Sequence, residues 1–160
     1  MSAPIYDCAQ LAQLGEVLPR EGRIMGLDVG TKTIGVAVSD VLRGIASPLE
    51  TIRRTKFQAD AARLLQLAGE HGVAAIVIGF PLNMDGSEGP RVQSTRAFAR
   101  NLRALTDLPI AFWDERLSTA AAERSMLEAD MSRARRAAAI DRVAASFILQ
   151  GALDRLNLRP

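Results

Sequence analysis

The sequence predicts an α/β fold, a five-stranded mixed sheet with helices on both faces. Three observations carry this prediction. Two apolar segments joined by the tight turn Gly30-Thr31-Lys32 open the ordered part of the chain as a β-hairpin. The hydrophobic period then changes from two to 3.6 near Phe57. Finally, the β-branched run Val73–Phe80 lies between two helical patterns, as a buried strand in a crossover unit does.

The elements follow in order. Residues 7–18 predict a short leading helix. Residues 23–29 form the first strand, which ends in Asp28-Val29, and residues 33–39 form the second. Residues 45–52 form a third strand, and Pro48 places it at an edge of the sheet. Phe57, Ala61, Leu64, Leu65 and Ala68 mark one face of a helix. His71 ends that helix before the capping glycine Gly72. After the strand 73–80, residues 79–91 form a loop with three glycines and two prolines. Val92, Thr95, Ala99 and Leu102 mark the next helix, and residues 109–115 the fifth strand. Ser118 or Thr119 caps a helix running to about Asp130, and a last helix covers residues 137–156. The order β-β-β-α-β-α-β-α-α puts an antiparallel meander first and right-handed parallel crossovers after it. Sites in such sheets gather at the carboxyl ends of the parallel strands.

Composition narrows the chemistry. The chain has 160 residues with 48% apolar and 24% charged content, which suits one globular domain and not a disordered chain. No apolar run is long enough to cross a membrane, and the N-terminus does not read as a secretory signal, so a cytoplasmic protein is expected. A single cysteine, Cys8, excludes an intramolecular disulfide, and with a single histidine, His71, it excludes a Cys/His zinc site. An enzyme of this composition runs on carboxylates. Charge is uneven: residues 1–90 carry 8 basic and 10 acidic groups, residues 91–160 carry 12 and 8. Eighteen of the 20 basic residues are arginine, and Arg133, Arg135 and Arg136 cluster in one segment between two helices.

Three acids stand out. Asp28 ends an apolar strand, where burial is costly unless a cation or hydrogen-bond donors meet it; the plain alternative is an Asp that caps the turn. Glu115 ends another strand beside Asp114. Alternation sends the two to opposite faces, leaving one to be solvated or paired with Arg116. Asp141 heads a helical stripe continued by Ala144, Ala145, Ile148, Leu149 and Ala152, though the helix dipole alone would also favour an acid there. Oxygen ligands of this kind suit Mg²⁺ or Mn²⁺, and two such ions can activate water and stabilise a leaving oxygen at a phosphodiester.

Four blocks in order resemble the YqgF/RuvX family. They are Gly26-Leu27-Asp28-Val29-Gly30-Thr31-Lys32-Thr33-Ile34-Gly35-Val36-Ala37, Gly79-Phe80-Pro81-Leu82-Asn83-Met84-Asp85-Gly86-Ser87-Glu88-Gly89, Asp114-Glu115-Arg116-Leu117-Ser118-Thr119 and Ile140-Asp141-Arg142-Val143-Ala144-Ala145-Ser146-Phe147-Ile148-Leu149-Gln150. The resemblance implies an RNase H-like nuclease domain over 23–160, preceded by an extension over 1–22. It implies that Asp28, Glu115 and Asp141 bind catalytic metal, and that the activity is pre-16S rRNA processing. Where the family often has lysine before the last acid, this chain has Arg133, Arg135 and Arg136. Asn83, Ser87 and Arg91 border the implied site and are candidate phosphate contacts, as are Arg116 and the arginine cluster; turn formers on a surface loop are the plain alternative.

The first reading is thus a metal-dependent endonuclease on structured RNA, the pre-rRNA itself or the pre-ribosome. The second is the same chemistry on branched DNA, as a Holliday junction resolvase. A monomer or weak homodimer is expected. The Asp-x-Gly-Thr hairpin also resembles the phosphate loop of actin-like ATPases, but the chain has no second copy for the second lobe those proteins need. A non-catalytic RNA-binding module would have no use for Asp141 on an apolar stripe.

Overall fold

The computed structural model describes residues 4–117 and 133–158, with side chains over 4–117 and 143–158. Six strands form one sheet: β1 (Ile5–Tyr6), β2 (Arg23–Val29), β3 (Thr33–Ser39), β4 (Ala46–Arg53), β5 (Val73–Phe80) and β6 (Ile110–Asp114). Their order is β1-β6-β5-β2-β3-β4. The helices are α1 (Leu11–Val17), α2 (Phe57–Glu70), α3 (Pro90–Arg103) and α4 (Arg133–Leu156). β2, β3 and β4 pair antiparallel, while β2–β5, β5–β6 and β6–β1 pair parallel. The meander-then-crossover order read from the sequence is the order observed.

Strand alternation divides the core in two. Met25, Leu27, Ile34, Val36, Ile76, Ile78 and Phe112 pack under α2 and α3, against Leu64, Leu67, Phe98 and Leu102. Ile24, Ala37, Ala75, Val77, Ala111 and Trp113 face the other way, against Leu11 and Leu14 of α1 and Ala145, Ile148, Leu149 and Leu153 of α4. On that second face β2 carries Gly26. A Cβ there would lie 2.6 Å from Leu149 Cβ and 3.2 Å from the Ala145 carbonyl oxygen, so the glycine lets α4 lie directly on the sheet.

Helix ends follow their sequence signals. His71 donates its N–H to the Leu67 carbonyl, and Gly72 then takes φ +62°. Pro90 is the first residue of α3. Pro48 lies in β4, at the open edge of the sheet.

Two details differ from the sequence reading. The sheet has a sixth strand, because Ile5 and Tyr6 pair with Ile110 and Ala111; two residues are too few to show a period. The last helix is already formed at Arg133, the first described residue after 117, rather than starting at 137. Arg133, Arg135 and Arg136 therefore lie within this helix rather than in a connection between helices, since Arg and Ala are both strong helix formers. The helix expected from Ser118 or Thr119 to Asp130 lies outside the described residues.

Candidate active site

Asp28 is the penultimate residue of β2, half-buried, with Gly35 of β3 as its Cα partner. Gly26 lies under α4, so alternation puts Asp28, two residues on, on the α4 face of the sheet. The turn beyond it is closed by the Gly30 N–H donating to the Thr33 carbonyl at 2.9 Å. Arg54, following β4, donates from Nη1 to the Gly30 carbonyl at 2.6 Å and buttresses the turn from the next hairpin.

Glu115 opens a single 3₁₀ turn immediately after β6. Its Oε1 lies 2.7 Å from the position a Cβ on Gly79 would take, and Ile148 Cδ1 of α4 lies 2.6 Å from that position. Glu115 is thus seated over the end of β5 on the α4 face, the face and the end of the sheet that also carry Asp28.

Asp114 takes the other side. It is buried, and Arg116 grips it as a fork, with Nη2 to Oδ2 at 2.8 Å and Nε to Oδ1 at 3.1 Å. The Arg116 backbone N–H also donates to Oδ1 at 3.0 Å. The guanidinium hydrogen bonds hold the Asp114 carboxyl below the ordinary carboxylate range, against the opposing effect of burial. The two successive acids therefore have separate circumstances: Asp114 is consumed by Arg116, and Glu115 is directed to the α4 face.

Arg116 extends further. Its Nη1 donates to the Met84 carbonyl at 3.4 Å and lies 3.3 Å from a notional Cβ on Gly86, so it ties the loop after β5 to the end of β6. Within that loop Asn83 Nδ2 donates to Ser87 Oγ at 3.0 Å, and Ser87 donates to Asp85 through its hydroxyl at 2.6 Å and its N–H at 2.9 Å. The Ser87 hydrogen bonds hold the Asp85 carboxyl below its ordinary value. Asn83 and Ser87 are exposed but spend these groups on each other. Arg91 is exposed in the first turn of α3.

A second cation crosses the same loop. Arg96 of α3 bonds Glu88 at 2.9 Å and Asp7 at 3.5 Å, with its guanidinium 4.8 Å from the centre of the Phe80 ring. Cys8, beside Asp7, is pushed up to about 12 by burial and then by the charges of Asp114 and Asp7.

Asp141 lies in α4, two turns before Ile148, about 10 Å along the helix axis. The other end of α4 reaches the opposite end of the sheet, where Asn157 Nδ2 donates to the Arg43 carbonyl in the β3–β4 turn. The side chains of Asp141, Arg133, Arg135 and Arg136 lie outside the described residues. Among the described residues there is no group of three or more His, Cys, Asp or Glu side chains able to hold a metal ion. Asp28 and Glu115 offer carboxylate oxygens only, a donor type that fits Mg²⁺ or Mn²⁺ and not a soft metal.

Comparison with known proteins gives the family and the fold. A protein from Rhodobacter capsulatus named "Putative pre-16S rRNA nuclease" is 67% identical over 93% of this chain and 94% of its own length. One of the same name from Paracoccus denitrificans is 66% identical over 94% of this chain and 95% of its own. In fold, the chain resembles T. thermophilus RuvC, solved in complex with Holliday junction substrate, with a TM-score of 0.53 at 15% identity over 85% of this chain and 96% of that one. The model of the RuvX family, described as Holliday junction resolvase, matches residues 22–155. With that match over most of its length, and with its RNase H-like sheet, the chain belongs to the RuvX family.

Proposed function

We propose that the protein is a divalent-metal-dependent endonuclease that hydrolyses phosphodiesters in structured RNA and processes the 5′ end of pre-16S rRNA during ribosome biogenesis in the cytoplasm. The observation that carries this reading is the delivery of Asp28 and Glu115, from strands far apart in sequence, to one face and one end of the sheet. The names of relatives that are about two-thirds identical supply the substrate.

In this reading Asp28 and Glu115, with Asp141 from α4, would hold Mg²⁺ or Mn²⁺. When bound, the ion supplies Lewis-acid stabilisation of charge at phosphorus and a more acidic water. Asp28 is set at the end of a strand buried on both sides, and Glu115 is seated against Gly79 and Ile148. Asp28 is thereby held by a packed strand, and Glu115 by the turn that directly follows one. Arg116 fixes the turn that presents Glu115, and is itself a candidate phosphate contact. Arg133, Arg135 and Arg136 precede Asp141 on the same helix and would bring phosphate toward the acids.

Cleavage of branched DNA is the second reading, favoured by the description of the matching family. The two are separated by offering the purified protein a pre-16S rRNA fragment and a four-way DNA junction, each with Mg²⁺ and with Mn²⁺. Specific cleavage of the RNA alone supports the first reading and cleavage of the junction alone the second. Asp28→Asn keeps the size of the side chain and loses its charge, so it should abolish cleavage while the circular dichroism spectrum stays that of the wild type. Wild-type turnover by that variant would reject the site.

A further inference from the structure

The turn that follows Asp28 gathers a second set of cations. The protein has two lysines, Lys32 and Lys56, and both lie here. Lys32 is in the β2–β3 turn, and the Arg54 N–H donates to its carbonyl at 2.8 Å. Arg53, the last residue of β4, has Thr33 as its Cα partner. Lys56 stands at the N-cap position of α2, whose positive dipole end adds to the same field.

Arg54 is fixed between the others, bonded to Gly30 and placed 5.7 Å from the centre of the Phe98 ring. Lys32, Arg53 and Lys56 are exposed. No described carboxylate forms an ion pair with any of the four. The acid nearest in sequence, Asp60, is buried and accepts hydrogen bonds from the Thr55 N–H and hydroxyl. Four cations thus gather at the end of the β2–β3–β4 meander, Arg53 toward the α4 face and Arg54 and Lys56 toward the α2 and α3 face, without a described counter-charge. The aliphatic surface they flank is already covered: Ile52 beside Arg53 is core.

The position gives the cluster its meaning. Ile52 packs under α2 and α3, so alternation puts Arg53 on the α4 face, which Asp28 shares. Arg53 is two strands across from Asp28 and two residues further toward the same end, about 12 Å between Cα atoms. A stacked strand advances about 3.4 Å per nucleotide, so that span is three to four nucleotides.

We propose that Lys32, Arg53 and Lys56, with Arg54 holding the turn, form a second phosphate-backbone contact that grips the substrate strand three to four nucleotides from the bond cut near Asp28. The inference rests on the nuclease reading for its geometry, and on charge alone for the binding. Phosphate contacts of this kind position a strand and carry no sequence preference.

The test uses the full chain carrying Asp28→Asn, so that bound strands stay intact. Affinity for a single-stranded RNA, and for DNA of the same sequence, is read by fluorescence anisotropy across a salt series. Lys32→Ala/Arg53→Ala/Lys56→Ala should weaken both, and its log–log salt slope should fall by about two units, three contacts at about 0.7 each. A second triple, Arg20→Ala/Arg100→Ala/Arg155→Ala, removes the same charge from the far end of the sheet and should move the slope by less than about one unit. Thermal melting checks that both triples fold; if the first does not, Lys32→Glu alone, at an exposed turn position, should still weaken binding. An unchanged slope, or equal losses in the two triples, would overturn the proposal. Cleavage by the unsubstituted protein is measured separately. If it cuts neither RNA nor junction while the slope difference persists, the nuclease reading falls and the backbone contact stands.

Discussion

Glu115 and Gly79 share one space: a Cβ on Gly79 would sit 2.7 Å from Glu115 Oε1. The other atom in the way is the far end of the Ile148 side chain, at 2.6 Å. Both obstacles are the ends of flexible side chains, and both can move. Gly79→Ala should therefore cost little stability, about 1 kcal/mol, while displacing the Glu115 carboxylate and lowering the cleavage rate at least tenfold. Urea unfolding and single-turnover cleavage, measured on one preparation, check the split.

Gly26→Ala should give the opposite profile. Its Cβ would meet Leu149 Cβ at 2.6 Å and a backbone oxygen of α4 at 3.2 Å, neither of which can rotate away. The helix must lift from the sheet, at a cost of about 1–3 kcal/mol. A lower urea midpoint with an unchanged denaturant slope is the expected result.

Arg116→Ala should destabilise the fold at neutral pH, because it leaves Asp114 buried with only a backbone donor. The Asp114 carboxyl is lowered in the folded state by Arg116. The contribution of the pair is therefore full above the ordinary carboxylate range and is lost as pH falls through the lowered value. The stability gap between wild type and Arg116→Ala should narrow in acid. A gap that stays constant down to strongly acidic pH would reject the pair as its source.

Cys8 should be chemically quiet. With its thiol pushed up to about 12 by burial and neighbouring acids, it is protonated at neutral pH. Iodoacetamide should modify it in the native protein about two to three orders of magnitude more slowly than in urea. Cys8→Ser should cleave like the wild type, whereas excess EDTA should abolish cleavage.

Replacing Arg133, Arg135 and Arg136 by Ala should weaken substrate binding and reduce its salt slope by about two units on single strands. Alanine keeps the helix, so the helical signal in circular dichroism should not fall. Normal affinity and slope would make these arginines a solvated face.

Much of the fold was legible because period and length are strong signals when elements are long. β2 to β6 and the helices α2 and α3 were each read from seven or more residues of pattern. β1 has two residues and no pattern to show. The start of α4 was misread because three arginines look like a loop, although arginine favours a helix. At the site, alternation along β6 correctly sent Asp114 and Glu115 apart. What no local pattern disclosed was the company of Lys32 with Arg53, Arg54 and Lys56: twenty residues separate them, and only the β3–β4 register joins them. The Asn83–Ser87 bond within the loop was likewise invisible, because turn formers bond one another in ways composition does not specify.

The two-residue strand at the start of the chain also guards against aggregation. β6 is buried along its length and apolar up to Trp113, and β1 pairs with its first two residues, Ile110 and Ala111. The opposite edge is blunted by Pro48, which offers no N–H to an incoming strand. A chain trimmed to the family-matched span, 22–155, would lose β1 together with Leu11 and Leu14, the buried side chains of α1. It would then leave the edge of β6 at Ile110-Ala111 unpaired, next to the equally uncharged Phe112-Trp113, as a template for another chain. The leading segment thus protects solubility, and shortened versions of this domain should be judged first by whether they stay monodisperse.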